Sequence, residues 1–166
     1  MMADNQLLND NGGDEDIFVY TGGEQHVPRD VKRVRIAENI DTILANAFSE
    51  CTQLIEVEGH NKIRKMEQWA FRYCHRLRSV KKMQGVVEIE EGAFCDCHAL
   101  SDIDFDRLEI IGNCAFVECS SLRYVNMPSI RRVGNSAFQR CGALTDAVFG
   151  EKLDRIAGCA SSSAPP

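Results

Sequence analysis

Five stretches of this chain repeat one arrangement of apolar and polar positions. Ala47-Phe48, Ala70-Phe71, Ala93-Phe94, Ala115-Phe116 and Ala137-Phe138 are each followed three residues on by Cys51, Cys74, Cys97, Cys119 and Cys141. Leu54, Leu77, Leu100, Leu122 and Leu144 complete the frame A-F-x-x-C-x-x-L. The phenylalanines are spaced by 23, 23, 22 and 22 residues. Further columns align with them. Ile40, Ile63, Val86, Leu108 and Ile130 precede each Phe by eight residues, and Ile43, Met66, Ile89, Ile111 and Val133 by five. Val57, Val80, Ile103, Val125 and Ala147 follow each Leu by three, and Phe105, Met127 and Phe149 stand two further on.

Alternation of period two over so few residues predicts a short strand with one buried face after each Leu. The A-F-x-x-C segment then forms a tight turn or 3₁₀-like stretch. A unit of twenty-odd residues cannot bury its own apolar face, so the copies must stack. The fold expected is an α/β-type repeat solenoid, a short leucine-rich-repeat array with one strand and one turn or 3₁₀ segment per repeat. Its stacked core is the plainest reason for a Phe and a Cys at fixed spacing.

The ends of the array differ from its middle. Val31, Val34 and Ile36 continue the strand columns, but Gln25 stands where the Phe is due, so residues 17–36 read as a degenerate first unit. Full repeats occupy about residues 37–153. Leu153, Ile156 and Ala160 begin a sixth copy in which Ser161 replaces the Phe, making 154–160 a truncated last unit. Residues 1–16 and 161–166 read as disordered tails flanking a solenoid at 17–160.

Charge sharpens this division. The chain carries a net −6, with 19 Lys and Arg against 25 Asp and Glu. Five of those acids, Asp4, Asp10, Asp14, Glu15 and Asp16, lie in the first sixteen residues, where there is no base. The remaining 19 basic and 20 acidic residues nearly cancel. A nucleic-acid binder shows net basic charge on one face, so nucleic acid is not an expected partner. No run approaches the ~18 apolar residues of a membrane span, and the start has no basic-then-apolar leader. No membrane partner, a cytoplasmic location and reduced thiols are therefore expected for the eight cysteines.

With its columns in place, the chain resembles the BspA-type leucine-rich repeats, whose units read L-x-x-I-x-(L/F)-P-x-x-(L/V)-x-x-I-G-x-x-A-F-x-x-C-x-x-L. The stretch LRYVNMPSIRRVGNSAFQRCGAL, Leu122 to Leu144, fits almost position for position, and the likeness covers about residues 27–160. The resemblance implies a curved solenoid and a role in binding other proteins, as in the many family members that are surface adhesins. It implies no enzymatic activity and gives no residue a catalytic role.

The cysteines admit three readings: packing, thiol chemistry and metal binding. Five ladder cysteines behave as small buried hydrophobes. Cys95, Cys114 and Cys159 fall off the ladder as candidate partly exposed thiols, but no His–Asp pair frames any of them as a nucleophile. Cys74-His75 and Cys97-His98 occupy matching positions near Cys95, and both residue types bind zinc. However, the cysteines are expected to point inward, and C-x-C is not the spacing of a structural zinc site. No metal, no cofactor and no catalytic residue are expected.

The surface offers two further readings. Residues 60–82 hold eight bases and one acid, while residues 83–106 hold seven acids and no base. Glu58, Lys81 and Asp104 share a column, as do Lys65 and Glu88, so charge pairing between repeats is the simpler account. Opposite charges this close lie within a Debye length of about 8 Å. On the exposed strand face, Arg78, Arg123, Tyr124, Asp102 and Lys81 are the candidate partner-binding residues, since Arg and Tyr are enriched at binding hot spots. The expected function is a non-enzymatic module that binds a protein or peptide there. The alternative is a structural subunit that forms a homo-oligomer through an uncapped C-terminal repeat end.

Overall fold

A computed structural model describes residues 17–23 and 25–158. The tails expected at 1–16 and 161–166, together with Cys159 and Ala160, lie outside the described residues. Thirteen short strands follow one another: β1 (Ile17–Tyr20), β2 (Arg33–Ile36), β3 (Thr42–Ile43), β4 (Glu56–Glu58), β5 (Lys65–Met66), β6 (Ser79–Lys81) and β7 (Glu88–Ile89). Then come β8 (Asp102–Asp104), β9 (Ile110–Ile111), β10 (Tyr124–Met127), β11 (Arg132–Val133), β12 (Asp146–Phe149) and β13 (Arg155–Ile156). Every pairing is parallel.

The expected α/β architecture is overturned. Among the described residues there is no helix, and each turn of the coil contributes two strands rather than one. One wall is built from β1-β2-β4-β6 and continues as β8-β10-β12; the other is the six-stranded sheet β13-β11-β9-β7-β5-β3. The molecule is a parallel β-solenoid of about six turns.

The A-F-x-x-C segment is a run of tight turns and not a 3₁₀ helix. Only alternate N–H groups close bonds within it, such as Ala47 to Leu44 and Ser49 to Asn46 at 3.1 and 3.0 Å, while the others bond outward to the next turn. Asn46, Phe48 and Glu50 donate their N–H groups to the carbonyls of Gln68, Ala70 and Arg72, at 3.1, 2.8 and 2.8 Å. Two left-handed residues per turn make this possible. One column is Asn46, Trp69, Gly92, Cys114 and Ser136, with φ between +54° and +60°. The other is Glu50, Tyr73, Asp96, Glu118 and Arg140, with φ between +60° and +63°. Such residues interrupt any right-handed helix.

The predicted core columns are buried through the middle turns, while Ile40, Val80 and Leu144 are half-buried and Ala147 and Phe149 are exposed. Phe48, Phe71, Phe94, Phe116 and Phe138 stack nearly parallel at 5.0, 5.1, 5.2 and 5.3 Å between ring centroids. Tyr20, not a residue at Gln25, closes the stack, tilted at 58° and 4.9 Å from Phe48. Gln25 instead accepts the Thr21 N–H and donates to the Val19 carbonyl.

The cysteine ladder is more than packing. Cys74, Cys97, Cys119 and Cys141 each donate Sγ–H to the carbonyl of the Phe one turn back: Phe48, Phe71, Phe94 and Phe116, at 3.1 to 3.2 Å. A small side chain that fills the column and satisfies a carbonyl suits this slot. Burial pushes the Cys51 thiol up to about 11 and that of Cys141 up to about 12. Cys97 and Cys119, more deeply buried, are raised well above the ordinary thiol value for the same reason.

At the last turn the core opens. All four residues of β12 and both of β13 are exposed, among them Val148 at 45%, Phe149 at 38% and Ile156 at 54%.

Candidate functional site

The wall of β2, β4, β6, β8, β10 and β12 carries two outward columns. Register places Arg33, Glu56 and Ser79 in one, continued by Asp102, Tyr124 and Asp146. Arg35, Glu58 and Lys81 form the other, continued by Asp104, Asn126 and Val148. Val34, Val57, Val80, Ile103 and Val125 alternate with them and face the core.

The early part of this wall is neutralised by its own charges. Glu56 lies 3.9 Å from Arg33 and 2.6 Å from Lys81, and Glu58 pairs with Arg35 and Lys82. The hydrogen bonds from Lys82 and then Arg35 hold the Glu58 carboxyl below the usual range. Lys81, a candidate binding residue, is thus engaged with Glu56, and not with Asp104 in its own column. Asp104 accepts from the Asn126 amide instead, at 2.9 Å. The strand ladder is interrupted between β6 and β8, where among the described residues the Ser101 N–H donates to the Arg78 carbonyl at 3.4 Å. On the other sheet, Lys65 does meet Glu88 at 3.4 Å, and Glu90 at 2.6 Å.

Arg78 and Arg123 are different. Both are exposed at the entry of their strands, and neither side chain has a partner among the described residues. Backbone bonds fix them in one row: Arg78 N–H to the Ile55 carbonyl, Ser101 N–H to that of Arg78, and Arg123 N–H to that of Ser101. Tyr124 is 40% exposed, flanked in register by Asp102 and Asp146. Asp102 accepts from the Ser101 hydroxyl at 2.6 Å. The structure therefore brings Arg123, Tyr124 and Asp102 together, sets Arg78 two turns away in the same row, and ties Lys81 to Glu56.

The motif weighed for zinc is split by the fold. Cys74 and Cys97 turn into the core, while His75 and His98 stack on each other outside, 5.0 Å between ring centroids. Cys95 and Cys114 are half-buried, and desolvation with the Asp96 hydrogen bond pushes Cys95 up to about 12.

One cluster escaped the sequence reading. Arg72 lies 4.4 Å over the Tyr73 ring and 5.6 Å from that of Trp69, and it donates to the Tyr73 hydroxyl at 2.6 Å. His75 meets Tyr73 edge-on at 6.0 Å. The left-handed φ at Trp69 and Tyr73 folds these near-neighbours together, and only the lone Trp signalled it.

Residues 28–145 match the BspA type leucine rich repeat region in six copies. No curated protein matches the chain. Among solved structures, the T. pallidum leucine rich repeat protein superposes with a TM-score of 0.68 at 27% identity, over 81% of this chain and 64% of that one. A leucine rich cell surface protein from Faecalibacterium prausnitzii gives 0.63 at 23% identity, over 84% of this chain and 49% of that one. A leucine-rich repeat protein from Bacteroides ovatus gives 0.52 at 20%, over 78% and 48%. The chain spans less than two thirds of the length of each of these.

Proposed function

The chain belongs to the BspA-type leucine-rich repeat family, and we propose that it is a non-enzymatic module binding a protein or peptide through the strand wall at Arg78, Asp102, Arg123 and Tyr124. The family's repeats suggest protein interaction in general; the choice of surface rests on one observation. Arg78 and Arg123 are exposed without partners among the described residues, while Arg33, Arg35, Lys81 and Lys82 on the same wall are held by Glu56 and Glu58. An unpaired guanidinium next to an exposed Tyr is the composition of a binding hot spot. Lys81 acts in this reading only if a partner displaces it from Glu56. The six strands from β2 to β12 on this wall, at ~4.8 Å spacing, make a short face, which suits a peptide-sized or modest-affinity partner.

The test is affinity capture under reducing conditions with the native chain and an Arg78→Ala, Arg123→Ala, Tyr124→Ala variant. Partners retained by the first and lost by the second support the reading, and identical recovery contradicts it.

A second reading is favoured by the last turn. Among the described residues, Val148, Phe149 and Ile156 form an exposed apolar patch beside strands paired on one side only. Another copy stacking there would bury it. Light scattering across a concentration series separates the two, since only stacking gives a dimer that grows with concentration and is lost on Phe149→Ser.

A further inference from the structure

The second sheet changes character along its length. Its outward column reads Thr42, Lys65, Glu88, Ile110, Arg132 and Arg155 in continuous register. In the early turns charge is balanced, with Lys65 between Glu88 and Glu90. At the far end two guanidinium groups stand opposite each other. Arg132 pairs in register with Arg155, and neither side chain has a partner among the described residues. Like charges directly opposite in a sheet repel, and an anion between them reverses the sign.

The neighbouring column loses its carboxylates at the same place. Glu67 reaches back one turn and accepts the Ala45 N–H at 2.9 Å, and Glu90 accepts the Gln68 N–H at 3.0 Å. One and two turns further on, the equivalent residues are Gly112 and Gly134. There the backbones of adjacent turns close up, Gly112 against the Glu90–Glu91 peptide and Gly134 against Gly112 and the Asn113 nitrogen, and the Glu91 and Asn113 N–H groups have no acceptor among the described residues. Beside them lies an open groove of about 470 Å³ lined by Ile110, Gly112, Asn113, Arg132, Gly134 and Arg155.

We propose that this groove takes a carboxylate side chain of an acidic peptide segment, held between the guanidinium groups of Arg132 and Arg155. Arg and carboxylate match as forked donors to paired acceptors, which gives direction as well as charge. Ile110 offers apolar contact to the methylenes of a Glu. The site is on the opposite sheet from Arg78 and Arg123 and does not depend on the strand-wall reading.

The test is an amide NMR titration of the full chain with a capped Gly-Glu-Gly-Glu-Gly peptide, its Gln counterpart and inorganic phosphate. Saturable shifts at Asn113, Gly134 and Arg155 with the Glu peptide, absent with the Gln peptide, are expected. Arg132→Gln with Arg155→Gln should weaken them at least tenfold while spectra elsewhere stay unchanged, which excludes unfolding. The Arg78→Ala, Arg123→Ala, Tyr124→Ala variant should bind as the native chain does, so failure of one surface is distinguishable from failure of the other. Equal shifts with the Gln peptide, or indifference to the double Gln variant, would overturn the proposal. Saturation by phosphate alone would overturn its assignment to a carboxylate.

Discussion

The Cys97 thiol donates to the Phe71 carbonyl of the preceding turn at 3.2 Å, and that carbonyl also accepts the Cys74 N–H. If the column needed only a small apolar group, Cys97→Val would be tolerated at least as well as Cys97→Ser. The hydrogen bond predicts the opposite order. Ser keeps a donor and Val does not, so Val should be the less stable variant by about 1 kcal/mol. Urea unfolding of the two variants checks it.

The stacked rings act as a continuous column. Phe94 is fully buried between Phe71 and Phe116. Phe94→Ala should cost about 3–5 kcal/mol, close to the whole stability of a small domain. Phe94→Leu, which keeps most of the volume, should cost visibly less in the same denaturation series.

Ser136 sits at φ +55° with no side-chain bond among the described residues. Ser136→Gly removes the left-handed penalty of about 1–2 kcal/mol and adds unfolded-state entropy, for a net gain of about 0.5–1 kcal/mol. Gly134→Ala should do the reverse, because a Cβ there meets the Asn113 nitrogen at 2.5 Å. A fall in melting temperature for Gly134→Ala and a rise for Ser136→Gly are the expected results.

The core thiols predict a loss of stability in alkali. Burial raises Cys51 to about 11 and Cys141 to about 12, with Cys97 and Cys119 raised further. Above the ordinary thiol value of about 8.5, the unfolded chain releases protons that the folded chain retains. The unfolding free energy therefore falls as pH rises, by about 1.4 kcal/mol per unit for each such thiol until its folded value is reached. Denaturation midpoints between pH 8 and 10.5 should drop steeply, and a Cys51→Ala, Cys141→Ala variant should drop less steeply.

Much of the core was readable from the chain because a solenoid repeats each inward position. The Phe, Leu and Cys columns and the alternation around Val57 and Ile103 reappear as buried ladders, up to Leu144, which is half-buried. The second strand of each turn was not readable. Thr42–Ile43 and its successors are two residues long with one buried side chain, too short for alternation to register. Tyr20 was missed as the closing ring because it stands outside the 22–23 residue spacing. Lys81 was matched to its own column, yet its ammonium reaches sideways to Glu56, a choice made by rotamers that register alone does not fix. The groove did leave a mark in the sequence. The column Glu67, Glu90, Gly112, Gly134 exchanges carboxylate for glycine, but its meaning depends on knowing that Glu67 caps the turn before it.

The most direct test of the binding account is amide hydrogen exchange on the captured complex. Binding at the strand wall predicts added protection in residues 78–81, 101–104 and 123–126, with residues 69–76 on the turn side exchanging as in the free chain. Protection confined to residues 146–156 would contradict it and point to association through the last turn.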